Sequence, residues 1–255
     1  MIKKIWLNFI GMLPKKYWFI LIAFILTQLS PSVVMLILFE NDFSGSEAEL
    51  IGMSVFIGFT LGFIVISLIA LRIKPDPDFI HNQADIGKTI RWSISGIFLA
   101  FAAQYIAGII EMNLLGIEPG SENTDMIVDM ATAVPFMIPV VAVFVPIIEE
   151  LVFRMVIFGS LFKRFGFWIA AISSGLIFAV VHWDFEHLLV YLAMGIVFAY
   201  LYVKTKRIIV PIMAHVGINS FVMLIQVVYG EQLQDLMEQL EELEQTIQAI
   251  GGLFI

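Results

Sequence analysis

Seven stretches of about twenty apolar residues, near 17–39, 51–72, 92–114, 136–162, 167–184, 186–203 and 209–229, decide most of what this chain can fold into. A helix of roughly twenty apolar residues matches the ~30 Å hydrocarbon thickness of a bilayer. In hydrocarbon a spanning segment must satisfy its own backbone polar groups, which favours helices. The expected fold is all-α: a polytopic transmembrane helical bundle of about seven spans (six to eight), with an amphipathic C-terminal helix. Hydrophobic residues make up 60% of the chain, more than an ordinary soluble domain carries. The first apolar run is too long for a signal peptide and lacks a convincing small-residue cleavage site, so it reads as a retained first helix.

The loops give this bundle an orientation. Lys3, Lys4, Lys15 and Lys16, then Arg72, Lys74, Lys88 and Arg91, then Lys163 and Arg164, then Lys204, Lys206 and Arg207 fall on one face. Residues 40–49 and 118–129 fall on the other and contain no Lys or Arg. The positive-inside rule then predicts a cytoplasmic N-terminus and an external C-terminus, which suits a bacterial plasma membrane. Tyr17, Trp18, Trp92 and Trp168 lie where interfacial aromatics belong. Pro75, Asp76 and Pro77 mark an irregular cytoplasmic loop, 116–124 is a Gly/Ser/Asn-rich outer loop, and 125–135 reads as a short interfacial helix before Pro135. The lack of an internal repeat gives an inverted-repeat transporter no support.

Charge and cysteine content remove other classes. Six acids follow Tyr229 and no Lys or Arg follows Arg207, so residues 1–229 carry only −2 of the net −8. No basic patch with interleaved aromatics is present, so no nucleic acid is expected as a partner. With no cysteine, disulfides and thiolate metal sites are excluded. Residues 1–230 form the membrane-embedded domain and 231–255 an acidic amphipathic tail. In that tail Leu233, Leu236, Leu240, Leu243, Ile247 and Ile250 recur at three- and four-residue spacing. The tail is expected to pack on the outer mouth of the bundle or lie in the interface; self-association through 231–250 is the alternative. Anionic lipid is a poor partner for its acidic face.

Inside the fourth apolar stretch stand Glu149, Glu150 and Arg154. Each charge at a helix centre opposes insertion by roughly 2.5–3.5 kcal/mol, so three demand partners, a cavity or a reaction. Glu150 and Arg154 are four apart in the favourable carboxylate-first order. Glu149 points about 100° away on a regular helix and needs another partner. His182 closes a further apolar run, and His215 and Asn219 share a face of the last span. Each of these groups also has a structural reading, as an interhelical hydrogen bond or ion pair. Two histidines and a glutamate could ligate zinc. Alternatively, a carboxylate–imidazole pair could activate water while an imidazole and an amide stabilise an oxyanion. At 1.5 Å per residue Glu149 and His182 lie roughly 20 Å from the cytoplasmic ends of their spans, and His215 about 9 Å. Convergence therefore requires the last span to begin deeper, near Pro211, or the helices to tilt.

Taken together the motifs resemble those of the CAAX-protease and bacteriocin-processing (abortive-infection) family of intramembrane proteases. Glu149-Glu150-Leu-Val-Phe-Arg154, Phe178-Ala-Val-Val-His182 and His215-Val-Gly-Ile-Asn219 carry the likeness, which covers about 135–225. The resemblance implies a helical core with a water-accessible site and an endopeptidase acting on a membrane-associated peptide or protein. Glu149 and His182 would activate water, Glu150 and Arg154 would support that base, and His215 and Asn219 would stabilise the oxyanion. The family has been described both as metal-dependent and as glutamate-type. In a metal-dependent mechanism Glu149, His182 and His215 become the ligands of a divalent metal such as zinc. No His-Glu-x-x-His helix is present, so the metal-free route is preferred and no cofactor is expected. The rival readings are a non-proteolytic bacteriocin-immunity or scaffold protein on the same fold, and an ion pathway.

Overall fold

The computed structural model describes residues 13–73, 79, 81–118 and 120–252. Lys3, Lys4, Lys74 and the loop at Pro75, Asp76 and Pro77 lie outside them. The described residues form helices joined by turns, and the polytopic helical bundle expected from the sequence is what they build.

α1 (Lys15–Glu40) and α2 (Glu47–Leu71) make an antiparallel pair. The turn between them ends in a capping box: the Ser46 hydroxyl accepts from Glu49 N–H, and the Glu49 carboxylate accepts from Ser46 N–H at 2.7 Å. That backbone donor holds the exposed Glu49 carboxyl below the usual carboxylate range. α3 (Ile86–Ile110) starts at Asp85, whose carboxylate accepts from Lys88 N–H and is lowered by the same cause. A π-helical turn, Glu111–Leu115, extends α3, and Gly116, at φ 69°, ends it. α4 (Glu122–Ala133) is the short helix anticipated before Pro135.

α5 occupies residues 137–158 and departs from the regular helix implied by its hydropathy. Met137–Pro139 leads into a π-helical turn at Val140–Phe144. Val145–Glu149 is α-helical, and Glu150–Phe158 is π-helical again. α6 (Gly159–Val180) follows without a loop, but Gly166, at φ 73°, breaks its axis. Glycine meets no Cβ clash in this conformation, so it can turn the chain just after Lys163 and Arg164. α6 ends at Val180 rather than near 184. α7 (Leu188–Thr205) and α8 (Ile209–Gly252) complete the chain.

α5 is central, touching α1, α2, α6, α7 and α8, while α3 packs on α7 and α8. Gly175 and Gly195 let α6 and α7 approach so closely that a Cβ on Gly195 would lie 2.9 Å from the Gly175 Cα. Large apolar side chains such as Phe19, Leu26, Phe39, Leu61 and Phe98 face outward, and Glu149, Glu150, Arg154 and His215 face inward. This inversion of a soluble protein's surface is the pattern of a bundle in lipid.

Among the described residues five helices are long and apolar enough to cross a membrane: α1, α2, α3 with its π turn, α7 and the 209–230 part of α8. The other two expected spans are α5, which carries three charges at and within its second π-helical segment, and α6, which Gly166 shortens. α8 runs unbroken for 44 residues through the start of the tail, and Asp235, Leu236, Gln239 and Leu243 are exposed.

Candidate active site

The π-helical stretch brings the three charges of α5 together. With i→i+5 hydrogen bonds each turn holds more residues, so positions four and five apart share one face. Glu149, Glu150 and Arg154 thereby point into the same interior. Arg154 Nε lies 3.3 Å from Glu150 Oε2, both side chains fully buried. The guanidinium is also set against the rings of Phe178 at 4.5 Å and Phe198 at 5.3 Å. Aromatic faces thus accommodate much of a charge that lacks water.

His215, one and a half turns into α8, meets both glutamates. Its Nδ1 lies 3.0 Å from Glu150 Oε1 and its Nε2 3.7 Å from Glu149 Oε2. Phe198 stacks on its ring at 4.6 Å. His182 stands just past the end of α6, on a turn that Trp183 completes at φ 57°. His182 Nδ1 lies 2.7 Å from the Phe178 carbonyl. A carbonyl only accepts, so this bond assigns the proton to Nδ1 and leaves the Nε2 lone pair 3.6 Å from Glu149 Oε1. Phe178 therefore serves the site twice, orienting His182 through its carbonyl and lying under Arg154 with its ring.

The convergence closes the depth mismatch without a later start for α8, which begins at Ile209 with Pro211 in its first turn. Part of the reason is α5 itself, since a π-helical segment uses more residues to cover the same depth. Asn219, one turn beyond His215, donates from Nδ2 to the Val141 carbonyl at 3.4 Å, in the first π-helical turn of α5. All six residues singled out in the sequence thus lie on α5, the turn after α6 and α8 around one interior.

Exposure divides the set. The side chains of Glu150 and Arg154 have no exposure and His215 has 3%, whereas Glu149 has 9% and His182 18%. The more accessible pair stands opposed across 3.6 Å, too long for a direct hydrogen bond. Among the described residues no group of three or more His, Asp or Glu side chains is arranged to hold a metal ion.

Sequence reasoning missed the outer wall of this site. Tyr191, on α7, stacks on His182 at 4.1 Å and 28°. Its hydroxyl lies 3.4 Å from both Asp184 Oδ2 and Asn123 Nδ2, and Ser121 donates to the same Asp184 oxygen at 2.7 Å. The start of α4 is thereby tied to the turn that carries His182. Only the Tyr-rich composition of α7 hinted at this, and composition does not say which ring faces a histidine.

The type II CAAX prenyl endopeptidase Rce1-like family matches residues 131–221, an interval containing all three motifs. A Bacillus subtilis (strain 168) protein named as a membrane peptidase, YdiL, is 41% identical over 248 residues, covering 94% of this chain and 99% of the relative. The membrane-embedded CAAX protease MroQ of Staphylococcus aureus (strain USA300) is 35% identical over 227 residues, covering 86% of this chain and 92% of the relative. No solved structure matches. The chain belongs to the Rce1-like CAAX protease family of membrane peptidases.

Proposed function

We propose that this protein is an intramembrane endopeptidase that hydrolyses a peptide bond of a membrane-associated peptide or protein, with Glu149 and His182 activating the attacking water. The observation that carries this reading is that both imidazoles aim Nε2 at Glu149, the more accessible of the motif's two carboxylates. A water seated beside Glu149 Oε1 and His182 Nε2 gives up a proton to this pair as its oxygen attacks the scissile carbonyl. The negative charge that develops on the carbonyl oxygen is met by His215 and Asn219. Asn219 spends one amide N–H on Val141 and keeps the other for the oxyanion. His215 can offer Nε2–H when doubly protonated, with Glu150 at 3.0 Å as its counter-charge. The proton held by the Glu149–His182 pair then passes to the departing amine, and the peptide bond breaks. Arg154 balances Glu150 throughout.

No step requires a metal, and the proposal includes a metal-free site: peptidase activity should survive exhaustive chelation. It also includes a bacterial plasma membrane with the N-terminus cytoplasmic. The bacterial relatives support that location, and so does the clustering of basic turns at one end, where Gln83 Nε2 donates to the Lys206 carbonyl. Reporter fusions at the two termini test the orientation.

Hydrolysis is tested by comparing membrane-proteome N-termini in cells expressing wild type, Glu149→Gln or His182→Ala at equal membrane levels. New termini should appear with wild type and be missing with both variants. The same termini in all three would overturn the assignment.

A further inference from the structure

α8 crosses the membrane and then continues as a helix whose described side chains are exposed. At 1.5 Å per residue, residues 209–230 span about 33 Å, enough for the hydrocarbon core, and residues 231–252 project about another 33 Å beyond it. Every tail side chain that the structure describes is exposed, including Leu236 at 51% and Leu243 at 55%. A solitary helix of this length gains little from propensity alone and relies on packing an apolar stripe.

The stripe has a specific period. From Tyr229, the apolar positions 229, 233, 236, 240, 243, 247 and 250 alternate steps of four and three, the a/d seam of a heptad repeat. Tyr229, Leu236, Leu243 and Ile250 take d, and Leu233, Leu240 and Ile247 take a. The six acids respect this register. Glu231 and Glu238 fall at f, Glu241 at b, and Asp235 and Glu242 at c, all away from the seam, while Glu244 alone takes an e position. The facing g positions are Gln232, Gln239 and Thr246, so no e–g contact between parallel copies brings like charges together.

We infer that residues 229–250 form a parallel coiled coil with a second copy of this chain, outside the bundle. The strongly acidic tail is compatible with its own duplicate because its charge lies on the outer positions. The membrane assists, since two copies inserted in one orientation already hold their tails parallel and at high effective concentration. Packing flat on the bilayer surface would require a bend near Gly230, whereas α8 is continuous through it. This inference does not depend on the catalytic assignment.

The absence of cysteine gives a clean test on the full-length protein. Leu236→Cys and Leu243→Cys place thiols at d, and Glu238→Cys and Gln245→Cys place them at f. Mild oxidation in native membranes should yield covalent dimer several-fold more for each d variant than for each f variant, because disulfide formation needs closely apposed Cβ atoms. Leu236→Glu/Leu243→Glu should shift the full-length protein in detergent from dimer to monomer, with an unchanged melting temperature showing that the bundle is intact. Equal yields at d and f overturn the inference. So do an adduct with a different protein in place of the dimer, and a dimer that survives removal of residues 231–255.

Discussion

Two buried carboxylates in this bundle have opposite surroundings. Glu111, in the π-helical turn that ends α3, is filled: Oε1 accepts from Leu189 N–H at 3.0 Å and Val190 N–H at 3.2 Å, and Oε2 lies 3.0 Å from His187 Nδ1. It caps the first turn of α7, where the helix dipole favours a negative charge. Glu149 differs: the two imidazole nitrogens that face it stand off at 3.6 and 3.7 Å. Each glutamate faces histidine and each is largely buried, so burial does not separate a structural acid from the one proposed to activate water. The distinction lies in whether the oxygens are already spent on donors. This contrast also gives His187, which had no role on sequence grounds, a structural one.

The contrast is broken most sharply at Glu149. Glu149→Gln should lower kcat by about 10²–10⁴-fold, the usual scale for losing a general base, and leave the melting temperature in detergent close to wild type. Arg154→Ala should instead remove activity and folded protein together. It leaves Glu150 as an uncompensated buried charge, a change that costs about 3–5 kcal/mol, read from thermal unfolding. Glu111→Ala should destabilise by about 1–3 kcal/mol by orphaning two backbone donors, while activity per folded molecule stays near wild type. Glu111→Gln, which keeps an acceptor oxygen, should be milder. A kcat loss at Glu111→Gln as large as at Glu149→Gln would erase the distinction.

Smaller changes sharpen it. Tyr191→Phe keeps the ring on His182 and loses only long contacts to Asp184 and Asn123, so kcat should fall a few-fold at most, and Tyr191→Ala should fall further. The smallest effect is expected at Asp85, an exposed carboxylate filled by Lys88 N–H. Its folded-state pKa is depressed, so its stabilisation is present above the unfolded Asp value and is lost as pH falls through the folded one. Asp85→Ala should therefore lower the melting temperature slightly at neutral pH, with the difference shrinking in acid.

Much of this was legible because hydropathy and charge are read by the membrane itself. The alternation of basic and acidic loops and the short helix before Pro135 needed no tertiary knowledge. The six polar residues of the motifs announced themselves as costly exceptions in apolar runs. What stayed hidden depends on partners distant in sequence or on backbone register. Glu111 meets its donors 76 to 79 residues away, and nothing local to it says so. The π-helical turns of α5 were invisible because hydropathy does not distinguish i→i+4 from i→i+5 bonding. That register is also what brought His215 against both glutamates.

The wide winding of Glu150–Phe158 makes the number of residues there as important as their identity. Deleting one residue after Arg154 would let the segment tighten into an ordinary α-helix. Each residue of register is worth about 100° of rotation, so every side chain beyond the deletion would swing away from its neighbours. Substitutions in this stretch can be absorbed one contact at a time, but an insertion or deletion would misalign the whole face at once. Length variation among functional relatives should therefore collect in the loops and the tail, and be purged from these nine residues.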